Sequence, residues 1–192
     1  MGFSFAAGIN LYATVAILGL ASRFDWVSLP SQFRVFDHDL VIAAALVLYV
    51  IEFVADKIPW VDSMWDAVHT AIRPIGGAFI AVTTLGDASP AVQGIVALLG
   101  GTLAAGSHFT KAGTRAVANA SPEPFSNWIL SITEDIFVVG LGMLALNYPI
   151  AAAAVVAVCV VLMVVFAAWI IRAVRRRWSG TKAEAGRLNY EG

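Results

Sequence analysis

The residues from Ile150 to Ile171 form an apolar run of 22 without a single charge, and Arg172, Arg175, Arg176 and Arg177 follow it. Roughly 20 apolar residues, at 1.5 Å rise each, cross the hydrocarbon core of a bilayer. The run reads as a spanning helix with a basic stop. The rest of the chain agrees with it. Of 192 residues, 59% are hydrophobic and only 13% are charged, against about 25% charged in an average soluble domain. A soluble fold would have too few charges to cover its surface. Composition therefore argues against a soluble enzyme, a disordered chain and a nucleic-acid binder, and for an all-α, polytopic helical membrane protein. The single cysteine, Cys159, rules out an intrachain disulfide and a cysteine-built metal cage. No signal peptide is evident, because Met1 to Ser22 lacks a basic start.

Six spans are expected. They are about Ser4–Arg23, Asp39–Lys57, Val61–Leu85, Ser89–Asn119, Phe125–Leu146 and Ile150–Ile171, inside one transmembrane domain over 1–178 with a polar tail over 179–192. Turn-rich segments separate them, at Asp25–His38, Gly86–Ala88 and Asn119–Pro124. With six spans both termini share a side. That side holds Lys57, Arg115 and the six basic residues from Arg172 to Arg187, while Arg23 and Arg34 lie opposite. The bias places both termini in the cytoplasm, in a cell inner membrane.

An internal repeat is expected. Ala6-Ala7-Gly8-Ile9-Asn10-Leu11 lines up with Ala104-Ala105-Gly106-Ser107-His108-Phe109, and Tyr49/Glu52 lines up with Ser131/Glu134. Two three-helix halves, 1–87 and 88–178, would then be inverted relative to each other, as in many transporters.

Ionisable groups inside spans cost roughly 2.5–3.5 kcal/mol each on insertion scales, so each needs a reason. Span two carries Glu52 and Asp56, four apart and on one face. Span three carries Asp66, His69 and Arg73, and span four repeats the spacing with His108, Lys111 and Arg115. Span five carries Asn127, Ser131 and Glu134 on one stripe, with Asp135 about 100° away. Span one adds Asn10, and span six has nothing. Spans one to five should surround one polar cavity near the midplane, with span six facing lipid. Lys57, Asp62, Arg115 and Glu123 are assigned to the membrane interfaces, where charge is ordinary. The glycines at 76, 77, 100, 101, 106 and 113 are read as close helix packing. A broken helix at Gly8-Ile9-Asn10, or at Arg73–Gly77, is the less favoured reading.

Several chemistries fit the stripes. Asp66-x-x-His69 has helical metal-ligand spacing but no third ligand, so any metal stays open. Glu52, Asp56, Glu134 and Asp135 could hold a hard cation through oxygens. Arg73, Lys111 and Arg115 could hold an anionic headgroup or phosphate. His69 and His108 titrate near neutrality and could relay protons. Nucleophilic catalysis has no signature, and no P-loop, dinucleotide fingerprint or haem motif is present. No cofactor is expected.

Four stretches carry a family resemblance: Gly8-Ile9-Asn10, Glu52–Pro59, Asp66–Pro74, and Lys111 with Asn119 and Ser121-Pro122. Through them the chain resembles an uncharacterised family of small bacterial integral membrane proteins, catalogued as domain of unknown function 4126. The resemblance covers nearly the whole chain and implies no substrate. Glu52-Phe53-Val54-Ala55-Asp56-Lys57 is also loosely similar to the acidic motif of a cation/proton exchanger family. It departs from that motif by one extra residue between Glu and Asp, and the second half offers only Glu134-Asp135.

The expected function is a small secondary transporter or permease for a small solute or ion, with Glu52 and Glu134 as proton-coupling carboxylates. At least one of these two should bind a proton or a cation near neutral pH. The expected partners are the lipid bilayer, the cargo and a second copy of the chain, docked through span six or the glycine-rich span four. Two alternatives come from other classes. One is a membrane-embedded enzyme or lipid-headgroup binder using Asp66, His69 and Arg73. The other is a non-catalytic assembly factor.

Overall fold

The computed structural model describes residues 1–120 and 125–188, with the side chains of 170, 173, 174 and 176–188 left aside. Glu123, Ser121-Pro122 and the basic residues beyond Arg175 lie outside the described side chains. Among the described residues there are seven α-helices and no strand: α1 Gly2–Ile9, α2 Leu11–Arg23, α3 Asp39–Ala55, α4 Pro59–Leu85, α5 Pro90–Asn119, α6 Phe125–Asn147 and α7 Pro149–Leu188. A 3₁₀ turn, Ser31–Val35, lies between α2 and α3.

Local chemistry sets the helix starts. Pro59, Pro90 and Pro149 each open a helix, where a missing N–H costs nothing. Ser89 Oγ accepts from the Val92 amide, and His38 Nδ1 accepts from the Leu40 amide. Gly86, at φ +76°, ends α4 in a conformation that a Cβ would strain. Pro74 does not interrupt α4, which continues to Leu85.

Four helices are long and apolar enough to cross a membrane: α4, α5, α6 and the Pro149–Trp169 part of α7. Their side chains are arranged inside out for a water-soluble protein. Val68, Ile75, Phe79, Leu98, Phe109, Ile129 and Ile136 are exposed, while Arg73, Arg115, Glu52, His69 and His108 are among the largest fully buried side chains. Exposed aliphatic flanks around a charged interior need a lipid solvent. The protein is membrane-embedded.

The expected first span is not one helix. It breaks at Asn10 (φ −144°, ψ 100°) into α1 and α2. Asn10 makes the break by capping: its Oδ1 accepts from the Ala13 amide at 2.9 Å. The chain then turns back, and α6 is the ruler on which the reversal can be read. Asn10 meets Asp135, Phe5 meets Phe137, and Gly2 lies against Ala145. On the other arm, Ile17 packs against Gly142. Both arms climb α6 away from Asn10, across the roughly 15 Å that separate Asp135 from Ala145. Thus α1 and α2 form a hairpin whose tip is Asn10. Phe3 and Ala7 from one arm, Leu11 and Leu18 from the other, share a core with Phe33, Phe36 and Ile80. Arg23 closes the second arm on Asp37 and Asp39, where α3 begins.

Helices α4 and α5 pack along their length because small residues face each other. A Cβ on Gly100 would meet the Gly77 carbonyl oxygen at 2.8 Å, and one on Gly101 the Pro74 oxygen at 3.2 Å. Close packing holds at Gly76, Gly77, Gly100 and Gly101. It does not hold at Gly113, which has open space around it.

The compact unit is Met1–Val156, which includes the first two turns of α7, with Ala152 and Val156 buried. The second unit, Ala157–Gly192, is described over the helical residues 157–188, with Val158, Val161, Leu162, Val164 and Val165 exposed.

Candidate functional site

Steps of three and four along α3, α4 and α5 put one charged stripe per helix, and the packing turns those stripes inward. Glu52 is fully buried on α3. Its Oε1 accepts from Arg73 NH2 at 2.8 Å and from Lys111 Nζ at 3.2 Å. Lys111 also reaches Asp56 Oδ2 at 3.3 Å and Glu134 Oε2 at 3.4 Å. Arg115 holds Glu134 with both forks, NE to Oε1 at 3.1 Å and NH2 to Oε2 at 2.7 Å, and gives NH2 to Asp56 Oδ2 at 2.8 Å. Its NH1 donates to the Asp56 backbone oxygen at 2.8 Å. The result is an alternating chain, Arg73–Glu52–Lys111–(Asp56, Glu134)–Arg115, that ties four helices together. Arg73 NH1 adds the intrahelical pair to Asp66 at 3.2 Å.

The helix break supplies further acceptors. Lys111 Nζ donates to the Ile9 carbonyl at 3.3 Å, and Arg73 NH1 to the Gly8 carbonyl at 3.4 Å. The last carbonyls of a helix have no intrahelical partner, and here they face cations.

The partners of the two histidines constrain which ring nitrogens donate, and they fix His108 as neutral. The Trp65 carbonyl can only accept, so His69 Nδ1 donates to it at 2.7 Å, while Nε2 shares a 2.8 Å hydrogen bond with the Tyr12 hydroxyl, which can donate or accept. Arg73 can only donate, so His108 Nδ1 accepts from NH1 at 2.8 Å and Nε2–H donates to Thr70 Oγ1 at 3.1 Å. The Thr70 hydroxyl in turn donates to the Asp66 backbone carbonyl at 3.0 Å. Charging His108 would place an N–H against a guanidinium.

Asp135 stands apart from the bases. Asn10 Nδ2 donates to its Oδ1 at 3.1 Å, and the Tyr49 hydroxyl to its Oδ2 at 3.3 Å. Lys57 is half-buried, 3.0 Å over the Phe53 ring, and donates to the Phe53 carbonyl. Two expectations change form here. Asp62 and Arg115 are not free, water-exposed charges: they are 0% and 1% exposed, buried between helices. Nor is Glu52 or Glu134 an acid left without a base, because each touches two cations. The stripes themselves pointed to both residues, since Asp62 precedes Asp66 by four and Arg115 follows Lys111 by four.

Asp62 Oδ2 accepts from Asn119 Nδ2 at 2.8 Å, while Arg115 NH1 is 4.0 Å from Oδ1. Beside it lies a cleft of about 270 Å³ between α4 and α5, lined by Asp62, Asp66, Thr70, Phe109, Arg115 and Asn119 among others. The expected metal chemistries find no support: among the described residues no group of three or more His, Cys, Asp or Glu side chains is placed to hold an ion. Asp66 turns to Arg73, and His69 to Tyr12.

A family model described as a domain of unknown function, DUF4126, matches residues 1–170. The chain belongs to the DUF4126 family. No curated protein and no solved structure matches it. The match spans every group of the charged chain, so this DUF4126 protein carries its candidate site inside the family region.

Proposed function

We propose that this protein is a small secondary permease whose buried charged chain is its coupling site. The observation that carries the reading is the helix break at Asn10, set against Lys111, Arg73 and Asp135. Transporters commonly place discontinuous helices at their binding sites, because the freed backbone groups solvate charge inside the membrane. Buried ion pairs seldom add net stability, since desolvation offsets the attraction. A chain of them therefore asks for a role beyond holding helices together.

Lys111 is the switching group in this reading. It is shared among Glu52, Asp56 and Glu134 at 3.2–3.4 Å. A proton or cargo on one of these acids would release Lys111 to the others and loosen α5 from α3 or α6. Arg73 donates to His108 Nδ1 and so disfavours a proton there, which favours the carboxylates over His108 as proton carriers.

The membrane arrangement changes with the hairpin. In this reading the 17-residue α3 crosses together with the four longer apolar helices, and α1–α2 enters and leaves by one face. The first expectation was six spans with both termini cytoplasmic. In this reading the hairpin leaves the N-terminus on the side of the Phe24–Asp37 connection, as an alternative to that arrangement. The aligned segments of the expected inverted repeat differ in form: α5 runs unbroken through His108 where α1–α2 breaks at Asn10.

The test is ion flux in proteoliposomes with a lumenal pH dye, under imposed gradients of sodium, potassium, methylammonium and phosphate. Protein-dependent proton movement under one gradient, lost in Lys111→Met, is expected. No protein-dependent movement under any of them would favour the assembly-factor reading.

A further inference from the structure

The charged interior is unbalanced. Among the described residues, Glu52, Asp56, Asp62, Asp66, Glu134 and Asp135 face Arg73, Lys111 and Arg115, with His108 neutral, His69 bonded to Tyr12 and Trp65 rather than to an acid, and Lys57 at the margin. Glu52, Asp56, Asp66 and Glu134 each have a base within 3.4 Å, and Asp135 has two neutral donors. Asp62 has one neutral donor, Asn119, on Oδ2. Among the described residues its Oδ1 is buried without a hydrogen-bond partner, and Arg115, at 4.0 Å, already serves Asp56 and Glu134. An unmatched buried carboxylate is costly unless a positive group joins it.

The cleft between α4 and α5 is where such a group would fit. Asp62 is on its wall, and so is Asn119, whose amide oxygen is also buried without a partner. Asn119 Nδ2 is occupied by Pro59, Asp62 and Ser63, which leaves its Oδ1 as the acceptor. Asp66, Ser63 and Thr70 complete the polar wall, and Phe109 and Ala67 the apolar one. The free atoms are acceptors, so the complementary ligand is a cation that donates hydrogen bonds.

We propose that this cleft binds a small primary ammonium group, held by Asp62 Oδ1 and Asn119 Oδ1. The ammonium is carried either by a free amine or by an aminophospholipid headgroup. Ala67, Thr70, Phe109 and Ala116 are exposed at the cleft, so it opens on the flank of α4 and α5 as a lipid would require. The proposal names the cargo class for the permease reading and takes its transport meaning from it, but binding is measured without transport.

The test is thermal unfolding and calorimetry of the full-length protein in detergent. The titrants are methylammonium chloride, with tetramethylammonium chloride and sodium chloride at equal ionic strength. Expected is a saturable rise in Tm with methylammonium alone, because only it donates N–H bonds. In Asp62→Asn the affinity should fall roughly ten- to a hundredfold, as for a lost hydrogen bond to a charged group. Ala67→Leu, which fills the cleft and keeps every charge, should block binding even if Asp62→Asn folds poorly. Equal shifts with all three salts, or binding retained in Ala67→Leu, would overturn the site. So would no methylammonium effect together with a higher Tm for unliganded Asp62→Asn, which would mean a proton on Asp62 instead. Nanodiscs separate the sources: a higher Tm in phosphatidylethanolamine than in phosphatidylglycerol, abolished by Ala67→Leu, assigns the headgroup, and no lipid difference assigns the free amine. Binding without flux would leave the site standing and remove the permease; flux without binding would do the reverse.

Discussion

Lys111 Nζ lies 3.3 Å from the carbonyl oxygen of Ile9, the last residue of α1 before the helix breaks. A lysine 102 residues away in sequence thus takes up a carbonyl that an unbroken helix would have bonded internally. The break and the buried charge depend on each other.

Asn10 is the residue through which that dependence can be measured. Its Oδ1 caps α2, and its Nδ2 donates to Asp135. Asn10→Ala removes the cap, worth about 0.5–2 kcal/mol, and one of the two donors on a half-buried carboxylate, worth about 1.5–3 kcal/mol. The expected loss is roughly 2–5 kcal/mol of unfolding free energy in detergent. Asn10→Ser keeps a capping oxygen and should lose less. Wild-type stability in Asn10→Ala would mean that packing, not the cap, holds the break.

The sequence made the helical membrane class and the stripes at 52/56, 66/69/73 and 108/111/115 legible, because both follow from hydropathy and the 100° step. The pairing within the stripes was not legible. Asp66 meets its own helix at Arg73, while Glu52 finds Arg73 and Lys111 on two others, and only tertiary packing decides between such partners. Asp62 and Arg115 looked interfacial because they sit near span ends. They do lie near the ends of α4 and α5, at Pro59 and Asn119, but tertiary packing buries both between helices. The break was misjudged for another reason. One asparagine between two apolar segments is a weak local signal, and its strength comes from Asp135 and Lys111, which no window around residue 10 contains.

Glycine substitutions should separate tight from open helix faces. A Cβ on Gly8 would collide with Ser107 Oγ and with the Ala104 carbonyl oxygen, and would lie 2.7 Å from Ala104 Cα. Backbone cannot yield as a flexible side chain can. Gly8→Ala should cost about 1–3 kcal/mol or more. Gly113 has nothing within 4 Å of its Cβ position. Gly113→Ala should be neutral or stabilise by up to about 1 kcal/mol through helix propensity. A marked loss at Gly113, with a change of oligomeric state on size-exclusion chromatography, would instead place a second copy on that face of α5.

The hairpin makes a topological prediction. A cysteine added before Met1 and Ser28→Cys should react with an impermeant maleimide from the same side of the membrane, and Ala120→Cys from the other, in a background with Cys159→Ser. A chain that spans the membrane with residues 4–23 would put the first two on opposite sides. Such an outcome would reject the reversal read along α6.

Glu52 decides whether the charged chain is paired or protonated in the resting protein. Its Oε1 serves Arg73 and Lys111 together, and the side chain is wholly buried. Glu52→Gln keeps the shape and removes the negative charge, so two buried cations lose their shared counter-ion. Arg73 keeps Asp66, and Lys111 keeps Asp56 and Glu134, but each at 3.2–3.4 Å. Breaking a buried pair from one side typically costs about 3–5 kcal/mol, because the remaining charge is stranded. Glu52→Gln should fall in that range by denaturant unfolding in detergent. The double variant Glu52→Gln/Arg73→Gln should be more stable than the sum of the single losses, by roughly 0.5–3 kcal/mol, since both partners of one contact are gone. If Glu52→Gln instead unfolds within about 0.5 kcal/mol of wild type, where changes away from critical contacts fall, Glu52 already carries a proton in the native state. Lys111 would then be paired chiefly with Asp56 and Glu134, and the coupling role would move back to Glu52.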